Sequence, residues 1–159
     1  MLLKPDFNLE SIYDIDIIEL KKRGIKALFF DLDSTLMKSK SGTFAFRTIQ
    51  FLNDLKTNFK LAIITNNRNV KYIEKTKSQT DVPVYYEAKK PDTTILLKAC
   101  RDLGINPQNT AMIGDRPLSD ILGGKRADMT TILVDSISKN EESFIVRFAR
   151  FLERLTISQ

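Results

Sequence analysis

The 159-residue sequence predicts an α/β protein, a Rossmann-like three-layer sandwich around a mostly parallel five-stranded sheet. Three observations carry that expectation. Short apolar runs alternate with longer amphipathic ones from end to end, as in successive βαβ units. The run Ala27-Leu28-Phe29-Phe30 is apolar at every position, which suits a strand buried on both faces of a parallel sheet. It then delivers two aspartates, Asp31 and Asp33, into a polar loop. In open parallel sheets the carboxyl ends of strands are where ligands bind.

Each element follows from local pattern. A short helix is expected over 14–22, stopping at Gly24, and a strand over 25–30. Ile49, Leu52, Leu55 and Phe59 recur at helical spacing and predict a helix over 44–58. A second strand reads 60–64 and ends at Thr65-Asn66-Asn67; a polar helix over 69–78 leads to a short strand at 82–86. Pro91 is expected to open a helix that Gly104 closes. A strand over 110–113 ends at Gly114-Asp115, a helix follows over 118–127, the last strand covers 130–134, and a final helix covers 142–155. With no internal repeat, low-complexity tract or linker, one domain is expected over 1–159, with an N-terminal extension at 1–24 and an amphipathic C-terminal helix at 141–157.

Composition narrows the chemistry. The chain contains no histidine, which excludes imidazole bases and His-ligated metals, and its one cysteine, Cys100, sits in a helix-period segment as a small core residue. A lone thiol argues for a reducing, cytoplasmic compartment. The carboxylates, amines, guanidinia, hydroxyls and amides that remain suit magnesium and phosphate. Hydrophobic content of 42% is enough for a core, while no apolar run approaches the roughly 20 residues of a membrane span. No leader segment is expected, and any membrane contact would be peripheral. A net charge of +5 favours anionic partners without choosing among them.

Asp31, Thr65 and Asp115 each fall at the carboxyl end of an expected strand, and Lys90 falls just before a helix. Right-handed crossovers bring such strand ends to one edge of the sheet, so these four residues converge on one crevice.

Here the sequence resembles a known family. Asp31-Leu32-Asp33-Ser34-Thr35 matches the first motif of the haloacid dehalogenase (HAD) superfamily, Asp-x-Asp-x-Thr. Ile63-Ile64-Thr65-Asn66-Asn67 is similar to the second motif, Lys89-Lys90-Pro91 to the third, and Gly114-Asp115-Arg116-Pro117-Leu118-Ser119-Asp120 to the acidic fourth. Four ordered motifs at strand ends are a far more specific signal than a lone Asp-x-Asp. Ser11 to Asp16, Leu20 to Lys26 and the Gly123-Gly124 pair further resemble the small capless YqeG-type phosphatases of subfamily IIIA, related to mitochondrial phosphatidylglycerophosphate phosphatases. Two departures stand out: Arg116 where glutamine is usual, which adds a cation beside the site, and Ser34 where asparagine is commoner.

The resemblance implies a capless fold and a Mg²⁺-dependent phosphomonoesterase acting through an aspartyl-phosphate. Asp31 would be the nucleophile, since a carboxylate attacking phosphorus splits one difficult hydrolysis into two easier steps. Asp33 would protonate the leaving group and then take a proton from water. Thr65 and Lys90 would hold the transferring phosphoryl group, with Asn66 adding an amide contact and Arg116 a further cation. The metal would be held by Asp31, Asp115 and the backbone carbonyl of Asp33, with Asp120 orienting a metal-bound water or Lys90 rather than binding directly.

Each residue alone has a plainer reading. Asp33 and Thr65-Asn66-Asn67 suit ordinary turns, Asp115 suits a helix cap, and Lys89 a solvated surface. Only their joint order sets those readings aside. The stretch between Leu36 and the next helix, and that between Thr65 and Lys90, are too short to hold a cap domain. By family analogy an open site suits a large substrate or one attached to something large, so a phosphorylated lipid head group leads. Soluble phosphometabolites, nucleotides or phosphoprotein are the enzymatic alternative. A non-catalytic RNA- or ribosome-binding module is the alternative of another class, and nucleic acid is the less favoured partner because such a module has no need of both Asp31 and Asp33.

In the C-terminal helix, Phe144, Ile145, Phe148, Phe151, Leu152 and Leu155 form one stripe and Arg147, Arg150 and Arg154 another. Three roles fit: a cover packed on the sheet, attachment to an anionic membrane, or a dimerisation face.

Overall fold

The computed structural model describes residues 3–138 and 144–157, with the side chains of 144–148 left out of the description. Six parallel strands form one sheet in the order β1-β6-β5-β2-β3-β4. They are β1 (Phe7–Leu9), β2 (Ala27–Phe30), β3 (Lys60–Ile64), β4 (Val84–Tyr85), β5 (Thr110–Gly114) and β6 (Thr130–Val134). The helices are α1 (Ile17–Lys22), α2 (Phe46–Leu55), α3 (Val70–Lys77), α4 (Thr94–Leu103), α5 (Leu122–Arg126) and α6 (Phe144–Leu155).

The central strands explain the layers. All four residues of β2 are fully buried, and they alternate between two cores. Leu28 and Phe30 join Ile63, Ile113, Leu20, Leu52 and Leu55 on the face covered by α1 and α2, whereas Ala27 and Phe29 join Ile64, Met112, Leu96, Ala99 and Cys100 on the face covered by α4. Burial on both faces is what a continuous apolar run needs. Cys100 is a core residue as expected, its thiol pushed up by burial.

The α/β class and the parallel sheet are as the sequence predicts, with one strand more than expected. β1 pairs with β6, Phe7 opposite Ile132 and Leu9 opposite Val134. Its three residues are too few to stand out as a strand, yet Phe7 and Leu9 pack against the core, and the preceding residue adds a side-chain tie: Asp6 Oδ2 accepts from Thr131 N at 2.8 Å and from Thr131 Oγ1 at 3.0 Å, and meets Lys125 Nζ at 2.7 Å. β4 is shorter than expected, because Pro83 offers no donor to a ladder and serves only through its carbonyl, which accepts from Ile63 N.

Helix boundaries move for local reasons. The region 14–22 divides into a 3₁₀ turn at Ile12–Asp14 and α1, whose N-terminus Asp16 caps by accepting from Glu19 N. α4 opens at Thr94 rather than at Pro91, and Asp92 Oδ1 accepts the Thr94 N–H. The helix expected over 118–127 is a π turn, Pro117–Ile121, followed by α5. Gly124 lets α5 lie directly on the sheet, since a Cβ there would come within 2.7 Å of Thr131 Cγ2. The start of the final helix at 142 lies outside the described residues.

Parallel pairing brings the ends of β2, β3 and β5 to one edge. Between β2 and α2 the chain runs from 31 to 45 with only an isolated Asp33–Met37 bridge, and between β3 and β4 it holds only α3. No further domain is inserted at either point. No described helix is long and apolar enough to cross a membrane.

Candidate active site

Asp31 directly follows β2, and its backbone N–H continues the ladder to Ile113 O at 2.9 Å, which fixes the side chain at the sheet edge. Its Oδ1 accepts from Lys90 Nζ at 2.9 Å. The same ammonium donates to Asp120 Oδ1 at 2.7 Å and to Ile64 O at 2.7 Å, so its three protons have three acceptors in a site where its side chain is 1% exposed. Burial alone would discharge this lysine; the Asp120 and Asp31 carboxylates reverse that and hold it well above its ordinary value.

Asp115, at the end of β5, is completely buried. Thr35 Oγ1 donates to its Oδ1 at 3.1 Å, and Arg150 Nη2 of α6 lies 2.7 Å from its Oδ2. That contact is an ion pair without a directed hydrogen bond, which leaves Oδ2 a buried acceptor. Asp120 sits on the π turn, a feature frequent at functional sites. Its Oδ2 accepts Arg116 N at 3.1 Å.

Asp31, Asp115 and Asp120 present oxygens within 4.8 Å of one another. Like charges so close, and buried, disfavour ionisation. Burial, reinforced by Asp120 and Asp115 and opposed by Lys90, pushes Asp31 up to about 8. Burial and Asp120, opposed by Arg150, push Asp115 up to about 6. A hard-oxygen group with this much uncompensated charge, including an acceptor without a hydrogen bond, fits a divalent cation.

The Asp33 carboxylate points elsewhere. Its Oδ1 accepts from Tyr72 OH at 2.5 Å and its Oδ2 from Asn67 Nδ2 at 3.3 Å. It is therefore not in the acidic group, and any part it takes in holding a cation would fall to its backbone carbonyl.

The residues after β3 build the opposite wall. Thr65 is buried, and its Oγ1 accepts Asn67 N at 3.0 Å. Both ends of the Asn66 amide engage the next wall: its Oδ1 accepts Lys90 N at 2.7 Å and its Nδ2 donates to Lys90 O at 3.0 Å. That amide clamp fixes the lysine's main chain. Arg116 is likewise engaged, with its Nη2 3.1 Å from Glu153 Oε1 on α6.

A cavity of about 770 Å³ opens here, lined among others by Asp31, Asp33, Thr65, Asn66, Lys90, Arg116 and Arg150. All but two of the candidate site residues line it. The exceptions, Asp115 and Asp120, lie beneath, paired to Arg150 and Lys90 that do. The described part of α6 rims this cavity: Arg150 reaches Asp115, Glu153 reaches Arg116, and Arg154 Nη2 donates to Val134 O at 3.0 Å. Phe151, Leu152 and Leu155 are exposed beside it, whereas the side chains of Phe144, Ile145, Arg147 and Phe148 lie outside the described residues. Sequence reasoning missed Tyr72 and the Asn67 amide. Neither carried a signal, since a tyrosine on a polar helix and an asparagine in a turn are ordinary.

Residues 87–147 match the HAD-hydrolase-like family model. A probable phosphatase, YqeG of Bacillus subtilis, is 32% identical over 155 residues, spanning 97% of this chain and 89% of the relative. The chloroplastic/mitochondrial phosphatidylglycerophosphate phosphatase 1 of Arabidopsis thaliana is 28% identical over 159 residues; this chain spans 45% of its length. Among solved structures, a HAD phosphatase from Thermococcus onnurineus superposes with a TM-score of 0.56 at 18% identity, covering 75% of this chain and 89% of that one, a likeness of fold.

Proposed function

The chain belongs to the HAD-like hydrolases, as a phosphoric monoester hydrolase of the YqeG type, and from that premise we propose that it hydrolyses phosphomonoesters through an aspartyl-phosphate on Asp31 with Mg²⁺ bound. The observation that carries the reading is the convergence of Lys90 with Asp31 and Asp120, at 2.9 and 2.7 Å, and of both carboxylates with Asp115, their oxygens within 4.8 Å of one another.

Asp31 and Asp115 would hold the cation, with the Asp33 backbone carbonyl. Mg²⁺ supplies the positive charge that lets an anionic phosphate approach a carboxylate. Asp31 attacks phosphorus, the bond to the leaving oxygen breaks, and Asp33 gives that oxygen its proton. In the second half, water attacks the phosphorus, the Asp31–phosphorus bond breaks, and Asp33 takes the water's proton. Lys90, held by Asp120 and by the Asn66 clamp, keeps its ammonium beside Asp31 to offset the charge of the transferring group. Thr65 lines the cavity as a hydroxyl donor to the phosphoryl oxygens. Asp120 acts by orienting Lys90, and Arg116, paired to Glu153, contributes charge at the rim.

For the substrate, a phosphorylated lipid head group is favoured over a soluble phosphometabolite. Support comes from the name of the Arabidopsis relative and from exposed Phe151, Leu152 and Leu155 beside a cavity with no inserted domain over it. The reaction is tested by turnover of 4-nitrophenyl phosphate with and without Mg²⁺, in wild type and Asp31→Asn. Mg²⁺-dependent turnover that falls to background in the variant is expected, and activity that survives Asp31→Asn sinks the mechanism. Micellar phosphatidylglycerophosphate set against nucleotides and sugar phosphates tests the substrate; no preference for the lipid removes it.

A further inference from the structure

We propose that Tyr72 is a positioning residue that holds the Asp33 carboxyl with Oδ2 toward the substrate, so that the proton delivered to the leaving group is carried on that oxygen. This rests on the reading of Asp33 as acid and base.

The phenol oxygen of the half-buried Tyr72 is engaged as both donor and acceptor. Tyr72 OH donates its single proton to Asp33 Oδ1 at 2.5 Å, while its oxygen accepts the Gly42 N–H at 3.2 Å. Gly42 has φ of +64°, and a Cβ there would lie 3.4 Å from Tyr72 Cε2, so the ring is wedged against the backbone that donates to it. The helix is fixed as well: Asn69 caps α3 by accepting Tyr72 N at 3.1 Å, and Gln79, just past its end, donates to Gly42 O at 2.8 Å. Burial and the neighbouring Asp33 push the phenol far up, which keeps it a donor across the working pH range.

The two carboxyl oxygens thereby become inequivalent. Tyr72 does not line the cavity, whereas Asp33 and Asn67 do. Oδ1 is held by the short bond to Tyr72, which is not a lining residue, whereas Oδ2 has the long 3.3 Å contact from Asn67 Nδ2, which belongs to a lining residue. Because Oδ1 is occupied by the Tyr72 proton, Oδ2 is the oxygen left to exchange a proton with the substrate. Without the phenol the carboxyl can rotate and exchange the two oxygens, and a misplaced proton donor costs rate only where the leaving group needs a proton.

The test compares phenyl phosphate, a poor leaving group, with 2,4-dinitrophenyl phosphate, which departs without protonation, using the full chain with Mg²⁺. Tyr72→Phe, which keeps the ring, is expected to lower kcat/KM on phenyl phosphate, which reads the phosphoryl-transfer half where Asp33 is the acid, by about 10- to 100-fold. On the dinitrophenyl ester kcat/KM should fall by less than about 3-fold. Equal losses of kcat/KM on both esters, or no loss on either, overturn the proposal. Tyr72→Leu serves the same comparison if the Phe variant does not fold. Asp33→Asn is run alongside. Discrimination by Asp33→Asn but not by Tyr72→Phe defeats the positioning role alone, whereas no discrimination by Asp33→Asn defeats the acid assignment beneath it.

Discussion

Arg150 Nη2 lies 2.7 Å from Asp115 Oδ2, so a guanidinium carried by the last helix sits on a carboxylate of the acidic group. A cation taking Asp115 as ligand competes with this arginine. Arg150→Ala is expected to tighten Mn²⁺ binding, read by electron paramagnetic resonance without substrate, by roughly 5- to 30-fold, the equivalent of about 1–2 kcal/mol for a charge-assisted contact. Unchanged or weaker binding would show that the guanidinium supports the site instead of competing for it.

Lys90 holds together two carboxylates that repel each other. Removing one partner of a buried ionic cluster leaves the others uncompensated, at a cost of about 3–5 kcal/mol. Lys90→Ala should lose stability on that scale in urea unfolding with a chelator present, and Mg²⁺ should restore part of it by taking over the charge. A loss under about 1 kcal/mol would mean that water reaches Asp31 and Asp120.

Much of this site was legible from residue order, because each strand-end residue inherits its place from the parallel sheet. Asp31, Thr65 and Asp115 needed only the strands to be found, and the unbroken apolar run of β2 made that simple. What was not legible depends on side chains meeting across long sequence separations. Tyr72 reaches Asp33 from a polar helix whose pattern says only that it is solvated. The tie between the Asn66 amide and the Lys90 main chain, 24 residues on, likewise has no mark in residue order. β1 escaped notice because its apolar pattern is only Phe7 and Leu9, and the Asp6 tie to Thr131 leaves no mark in residue order. The arginines of α6 were visible as a stripe, but their target follows from where the helix lies along the sheet edge.

Gly114 is required by a close approach, not by its backbone angle. A Cβ there would fall 2.2 Å from Asp120 Oδ2 and 2.3 Å from its Cγ. Gly114→Ala must therefore displace Asp120, and with it the clamp on Lys90, costing about 1–3 kcal/mol as overpacking does. It should also abolish turnover. Gly124→Ala is the matched control, since its Cβ would press on Thr131 Cγ2 at 2.7 Å and on Met112. That variant should lose similar stability in urea while Mn²⁺ affinity stays within about 3-fold. Turnover that survives Gly114→Ala would contradict the role given to Asp120.

The raised carboxyls set a pH dependence with a definite sign. Asp31 titrates near 8 and Asp115 near 6 in the folded, metal-free protein, against an unfolded value of 3.8. Between about 4 and 8 the native state therefore binds protons that the unfolded chain has released, and stability must fall as pH rises through that window. Below about 4 both states are protonated and the effect vanishes; above about 8 the full cost is present. Asp6 shifts the other way, held low by Lys125 and Thr131 against its burial, and so acts only on the acid side of 3.8. The Lys90 shift lies above the window and leaves the slope unchanged. Urea midpoints measured with a chelator should drop between pH 5 and pH 8.5, and Asp31→Asn should flatten the decline, because the amide carries no charge to desolvate. A wild-type midpoint that stays level or climbs over that range would show that Asp31 is ionised throughout and that Lys90 outweighs its burial.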